Sequence, residues 1–128
     1  MIKVVIFDCF GVLLLSGGRK NAELLEEIKN LREEFRTGII SNVGAGFWFY
    51  FDESEIAEYF DDVVLSYQVG LIKPDLRIFE LAAERLEAKP SECVFIDNDE
   101  ENVRAAEKCG MRGVVYEMGM EIKPLLML

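Results

Sequence analysis

The sequence predicts an α/β domain: a mostly parallel β-sheet with helices on both faces. Three observations carry that expectation. Apolar, β-rich segments alternate with amphipathic helical segments along the chain, as parallel βαβ units require. Two of the strand segments, Lys3-Val-Val-Ile-Phe-Asp8 and Cys93-Val-Phe-Ile-Asp97, are nearly continuous runs of apolar residues, which suits strands buried on both faces. Both runs close on an acid, and in such sheets ligands bind beyond the carboxyl ends of the strands.

In chain order, the first strand lies within Lys3 to Asp8. Between Asn21 and Phe35 the apolar residues Leu24, Leu25, Ile28 and Leu31 recur at helical spacing with charges on the other face, so a helix follows. Thr37 to Ile40 predicts a second strand ending at Ser41-Asn42. Val63-Val64-Leu65 predicts a third after a stretch rich in aromatics and acids. Lys73-Pro74 imposes extended backbone before the proline, and Asp75 is placed to cap a helix whose inner stripe reads Leu76, Phe79, Ala83 and Leu86. The fourth strand ends at Asp97. A helix from about Glu100 to Cys109 stops at Gly110, a residue suited to the left-handed turn after a helix, and Gly113 to Tyr116 forms the last strand.

With 128 residues the chain suits one domain, 1–128, built on one core. Its composition, 51% hydrophobic and 30% charged, is globular. The longest apolar runs, Val12 to Leu15 and Phe47 to Phe51, are far shorter than a membrane span, and Met1 to Phe10 reads as a strand rather than a leader, so a cytoplasmic protein with no membrane partner is expected. Cys9, Cys93 and Cys109 are widely spaced with no CxxC pair, which predicts reduced, packed thiols. A formal charge of −10 and the lack of a basic stripe argue against nucleic acid and favour a small, locally captured substrate. The chain has no His, which excludes serine–histidine and cysteine–histidine catalysis.

Asp8, Ser41, Lys73 and the run Asp97 to Asp99 all fall at or just beyond the predicted carboxyl edge. Singly, an acid after a strand is usually a solvated turn residue and a lysine before proline a surface one. Four such positions on one edge form a candidate site. Their chemistry is coherent for phosphoryl transfer. A carboxylate such as Asp8 attacks phosphorus in line to form an aspartyl-phosphate, Ser41 holds a phosphoryl oxygen, and Lys73 neutralises charge on both. Acids after the fourth strand suit a Mg²⁺ ion bridging Asp8 and substrate.

The segments FDCFGVL, IISN, IKPD and FIDNDEENVRAAEKCGM resemble the four motifs of the haloacid dehalogenase-like (HAD) superfamily, in their usual order, over Ile2 to Tyr116. The resemblance implies a three-layer Rossmann-like sheet of strand order 3-2-1-4-5. It makes Asp8 the nucleophile, Ser41 and Asn42 the substrate-binding pair, and Lys73 the cation of the third motif. The metal set it implies is Asp8, the main-chain carbonyl of Phe10, Asp97, Asn98 and Asp99, with Mg²⁺ held weakly and a small phosphorylated substrate.

Two positions depart from the phosphatase pattern. Phe10 stands where phosphatases of this superfamily usually carry a second aspartate that protonates the leaving oxygen and then activates water; a phenyl ring does neither. Asn98 stands where the fourth motif usually has a metal-binding acid, and supplies oxygen without charge. The expected function is therefore a weak or selective phosphatase. Two alternatives stay open: a catalytically impaired phosphate-binding or interaction module, and a dehalogenase-like hydrolase, because HAD dehalogenases also carry an aromatic at the position of Phe10.

Residues 14–21 and 69–75 leave no room for the cap domain of many relatives, so an open, capless site is expected, with residues 16–20 a flexible flap at most. The run Phe47-Trp48-Phe49-Tyr50-Phe51 cannot all face one core from either a helix or a strand. Two or three rings inside and the rest on the surface is one reading; a substrate wall or a homodimer contact is the other. The apolar tail from Pro124 to Leu128 predicts docking onto the core or a partner.

Overall fold

The computed structural model describes residues 1–127. Its main sheet has five parallel strands in the order β5-β4-β1-β6-β7: β1 (Val4–Phe7), β4 (Arg36–Ser41), β5 (Asp62–Leu65), β6 (Cys93–Asp97) and β7 (Arg112–Val115). The architecture is the one expected. It departs from the 3-2-1-4-5 numbering only because two further short strands, β2 (Leu14–Leu15) and β3 (Arg19–Lys20), precede the second sheet strand in the chain and form a separate antiparallel ribbon.

Alternation along β1 explains the three layers. Val5 and Phe7 enter one core with Leu24, Leu25, Ile28 and Leu31 of α1 (Ala22–Leu31) and Ile56 of α2 (Glu53–Tyr59). Val4 and Ile6 enter the other core with Ile78, Phe79, Ala82 and Ala83 of α4 (Leu76–Arg85) and Ala105 and Ala106 of α5 (Glu100–Cys109). Successive side chains of a strand point to opposite faces, so a strand buried on both must be apolar throughout. A single turn, α3 (Ser66–Val69), and a terminal one, α6 (Lys123–Leu126), complete the helices. No helix of the described residues is long and apolar enough to cross a membrane.

Several local expectations need correction. The inner stripe of α4 is Ile78, Phe79, Ala82, Ala83 and Leu86; Leu76, in the first turn, is turned out to solvent, because a stripe centred on 79, 82, 83 and 86 takes in 78 instead. Asp75 does cap this helix, its carboxylate accepting from the Arg77 amide at 3.0 Å. Residues 53–59 form a helix that no expectation above places, started by a reciprocal capping box between Asp52 and Glu55. The flap has secondary structure of its own. Residues 14–20 form the β2–β3 ribbon, and Lys20 ties it down, pairing with Glu55 at 2.5 Å and lying over the Phe51 ring.

The aromatic run is split. It coils as a 3₁₀ helix over Ala45–Phe49, which puts Phe47 and Phe51 in the core, leaves Phe49 92% exposed and Tyr50 40% exposed, and sets the half-buried Trp48 against Tyr67 through an indole N–H to hydroxyl bond of 2.9 Å. Phe47 and Phe51 are therefore removed from any partner contact. The tail docks on its own chain: Ile122 and Leu126 are buried beside α1, and the Glu27 carboxylate accepts from the amides of Ile122 and Lys123. Leu128 lies outside the described residues. Cys9 and Cys93 are buried, Cys109 is half-buried, and all three are free thiols.

Candidate active site

Strand register assembles the site. Phe7 of β1 is level with Ile39 of β4 and Ile96 of β6, so the next residue, Asp8, emerges beside Asp97, with Ser41 two residues beyond Ile39 on the other neighbour. The Asp8 amide still donates to the Ile96 carbonyl at 2.9 Å, which fixes the nucleophile's backbone to the ladder. Asp8, Phe10, Ser41, Asn42, Lys73, Asp97, Asn98, Asp99 and Asn102 line one cleft of about 260 Å³ at this edge. Every sequence-predicted site residue is among them. A larger groove, about 540 Å³, runs along α1 past Glu23, Glu27 and Met118, away from these groups.

At the base of the cleft Lys73 bridges two carboxylates. Its ammonium, buried to 4% exposure, lies 2.7 Å from Asp8 Oδ1 and 2.9 Å from Asp97 Oδ2. Asp97 accepts from two further protein donors: Oδ2 also accepts from Asn102 Nδ2 at 3.2 Å, and Oδ1 from the Asp99 amide at 2.9 Å. Asp8 keeps its second oxygen outside these bonds. Asn42 clamps Lys73 from behind, its side chain accepting from the Lys73 amide at 2.8 Å and donating to the Lys73 carbonyl at 3.0 Å. Asn42 thus positions the lysine, with one acceptor and one donor of its side chain committed to it. The Ser41 hydroxyl is the opposite case: buried on the cleft wall, it has no hydrogen-bond partner, an arrangement that costs free energy unless something else supplies one.

Burial pushes the Asp8 carboxyl up to about 6 from 3.8; the Lys73 ammonium pulls it down, and the neighbouring Asp97 raises it again. The native state therefore holds a proton on Asp8 at pH values where the unfolded chain has lost it. The sign follows: the contribution of Asp8 to stability is fully present below about pH 4 and is lost as pH rises through about 6. Two pK units correspond to about 3 kcal/mol. In metal-free buffer, urea unfolding of Asp8→Asn should gain on the native protein by about that amount between pH 4 and pH 7.5. A constant gap would mean that Asp8 is not held in this strained, desolvated state.

The donor set lies within the range of ligands that a magnesium ion uses. Among the described residues no three His, Cys, Asp or Glu side chains gather to hold a metal. Asp97 accepts from Lys73, Asn102 and the Asp99 amide, and Asp99 caps α5 by accepting from the Glu101 amide at 2.9 Å. Two carboxylate oxygens outside these hydrogen bonds, the second of Asp8 and the second of Asp99, line the cleft together with Phe10 and Asn98. Magnesium is commonly held by one or two carboxylates together with substrate phosphate, so these residues fit it with phosphate present. Asn98 is brought to that place by Gly11, which has φ +90° and no Cβ; a Cβ there would collide with the Asn98 amide.

One role is not legible in the sequence. The Asn42 clamp gave no signal, since an asparagine after a strand is indistinguishable from a ligand. Tyr50, a member of the aromatic run expected as a substrate wall or homodimer contact, meets the Phe10 ring edge-on at 6.0 Å between centroids and 87° between planes.

Comparison with known proteins fits this geometry. The family model of the haloacid dehalogenase-like hydrolases matches residues 21–110, a span that contains Ser41, Lys73 and Asp97. A glyceraldehyde 3-phosphate phosphatase from Methanopyrus kandleri is 33% identical over 100 residues, 76% of this chain and 43% of that protein. The bifunctional epoxide hydrolase 2 of Rattus norvegicus is 40% identical over 57 residues, 44% of this chain and 10% of that protein. The chain thus spans less than half the length of these curated relatives. A HAD family enzyme from Bacteroides thetaiotaomicron, crystallised with magnesium and inorganic phosphate, superposes with a TM-score of 0.84 at 18% identity, covering 98% of this chain and 99% of that one. With the fold, the match over most of the chain and the edge site in agreement, this protein belongs to the haloacid dehalogenase-like hydrolase family.

Proposed function

We propose that the protein is a phosphatase of small phosphate esters, weak or selective for good leaving groups, that works through an aspartyl-phosphate on Asp8. The observation that carries the reading is the Lys73 ammonium set between Asp8 and Asp97 beside an unpartnered, buried Ser41 hydroxyl. A cation and an orphaned donor on one wall form a receptor for an anionic oxygen next to a carboxylate nucleophile. The phosphatase among its relatives supports a small ester as substrate.

In the first step Asp8 forms a bond to phosphorus as the bond to the ester oxygen breaks, and the electron pair leaves with that oxygen. In the second, water attacks phosphorus, the bond to Asp8 breaks with its pair returning to the carboxylate, and the water proton passes to solvent. Ser41 donates to a phosphoryl oxygen, and Lys73 keeps Asp8 oriented while balancing the charge that gathers there. The second oxygen of Asp8, the Phe10 carbonyl and the Asn98 side-chain oxygen would hold a magnesium ion, which when bound neutralises the phosphoryl oxygens. Asp97 and Asp99 supply negative charge nearby. No domain stands between β1 and α1 or between β5 and β6 among the described residues, so the site is proposed to be capless and open.

Hydrolysis of p-nitrophenyl phosphate with Mg²⁺ that disappears in Asp8→Asn is the expected result, together with an Asp8 adduct formed by beryllium fluoride. Turnover that survives Asp8→Asn, or no turnover at all, would sink it. The phenyl side chain at Phe10 favours a second reading, a phosphate-binding module without turnover. Phosphate binding with no adduct and no hydrolysis across a panel of esters would select that one. Halide release from a 2-haloacid would instead select the dehalogenase reading.

A further inference from the structure

The lining of the cleft includes one aromatic ring, Phe10. That ring, 41% exposed, meets Tyr50, 40% exposed, so each keeps part of its surface uncovered. The Tyr50 ring also packs near the flap, where an added Cβ on Gly18 would lie 3.2 Å from it, and Lys20 of the flap pairs with Glu55. The two rings form a perpendicular corner at the Phe10 side of the cleft, each with part of its surface exposed. A flat ring entering that corner can stack on one aromatic and meet the other edge-on, the two geometries that aromatic pairs prefer.

Leaving-group chemistry points the same way. The side chain two residues after Asp8 has no proton to give, so the departing oxygen must carry its negative charge away unaided. A phenol, with pKa about 10, bears that charge far better than an aliphatic alcohol, whose acidity is close to that of water at about 15.7. Shape and chemistry select the same group.

Resting on the phosphatase reading above, we infer that the substrates are small aryl phosphate monoesters, whose ring is received by the Phe10–Tyr50 corner while the phosphate lies between Asp8, Ser41 and Lys73. Asp8 bonds to phosphorus, the phosphorus–aryl oxygen bond breaks, and the pair leaves on a phenolate that takes its proton from solvent; hydrolysis of the aspartyl-phosphate then proceeds as for any ester. Tyr50 is the specificity-determining residue, and it takes no part in bond making.

Calorimetric titration with two unreactive probes, phenylphosphonate and methylphosphonate, in the presence of magnesium tests this apart from turnover. Phenylphosphonate is expected to bind about tenfold more tightly than methylphosphonate, and Tyr50→Ala to cut that ratio to about twofold. Tyr50→Leu, which keeps apolar bulk without the ring, should give an intermediate ratio. If both probes bind with equal affinity, or if the ratio is unmoved in Tyr50→Ala, the aromatic corner is wrong while the phosphate site stands. If neither binds, the phosphate site is wrong and the corner falls with it.

Discussion

Phe10→Asp is expected to raise turnover of alkyl phosphate monoesters by about a hundredfold, the lower end of what a placed general acid–base group contributes. The reasoning is local. Phe10 lines the same cleft as Asp8, two residues further along the same loop, and is 41% exposed, so its ring is not part of the core and a carboxylate there keeps contact with water. What the substitution removes is the edge contact with Tyr50, worth about 0.5–1.5 kcal/mol at most. What it adds is a proton donor for the leaving oxygen and a base for the attacking water, the two roles missing from both half-reactions. Aliphatic esters should gain most, because their leaving groups most need the proton, and aryl esters should gain less while losing their stacking partner. Steady-state phosphate release from glycerol phosphate and p-nitrophenyl phosphate measures both trends. An unchanged rate for glycerol phosphate would mean that the chemical step is limited elsewhere, with the uncharged Asn98 the next suspect.

The contrast between what was legible and what was not follows from the range of the interactions involved. The central strands announce themselves because burial on both faces forces continuous apolar runs, and the closing acids, Asp8 and Asp97, stand out against them. Register then converts two separate sequence positions into neighbours, which is why the edge site could be read from order alone. Helix α2 was hidden because seven residues carry too little periodicity to rise above the aromatics before them. The β2–β3 ribbon is not legible in the sequence because its tie to the rest of the fold, between Lys20 and Glu55, spans 35 residues and no local pattern encodes it. The aromatic run resolved into core and surface only once its 3₁₀ turn was known, since that geometry alone decides that rings 47 and 51 share a face. Asn42 is the deepest case. Its pairing with the main chain of Lys73 spans 31 residues and uses a side chain that looked like a ligand.

Lys73→Met should destabilise the protein by about 3–5 kcal/mol near neutral pH, the usual cost of leaving buried charge without its partner. The ammonium is the only cation bonded to Asp8 or Asp97 among the described residues, and both carboxylates are buried. Methionine fills nearly the same volume, so packing loss is small and the penalty is electrostatic. The pH dependence identifies the cause. Asp8 already has a carboxyl raised to about 6 with Lys73 pulling it down; without that pull it rises further, and a group whose folded pKa is raised contributes stability at low pH that is lost as pH climbs. The penalty should therefore shrink when urea unfolding is repeated near pH 5, where Asp8 takes up its proton. Adding Asp8→Asn to Lys73→Met should recover a substantial part of the loss at pH 7.5, a coupling that a double-mutant cycle reads directly because the two side chains touch. A penalty independent of pH and additive with Asp8→Asn would assign Lys73 a packing role. The coupled outcome would show that the fold holds two mutually repelling carboxylates together through one lysine, so that the loss of stability and the capacity for phosphoryl transfer have the same physical origin.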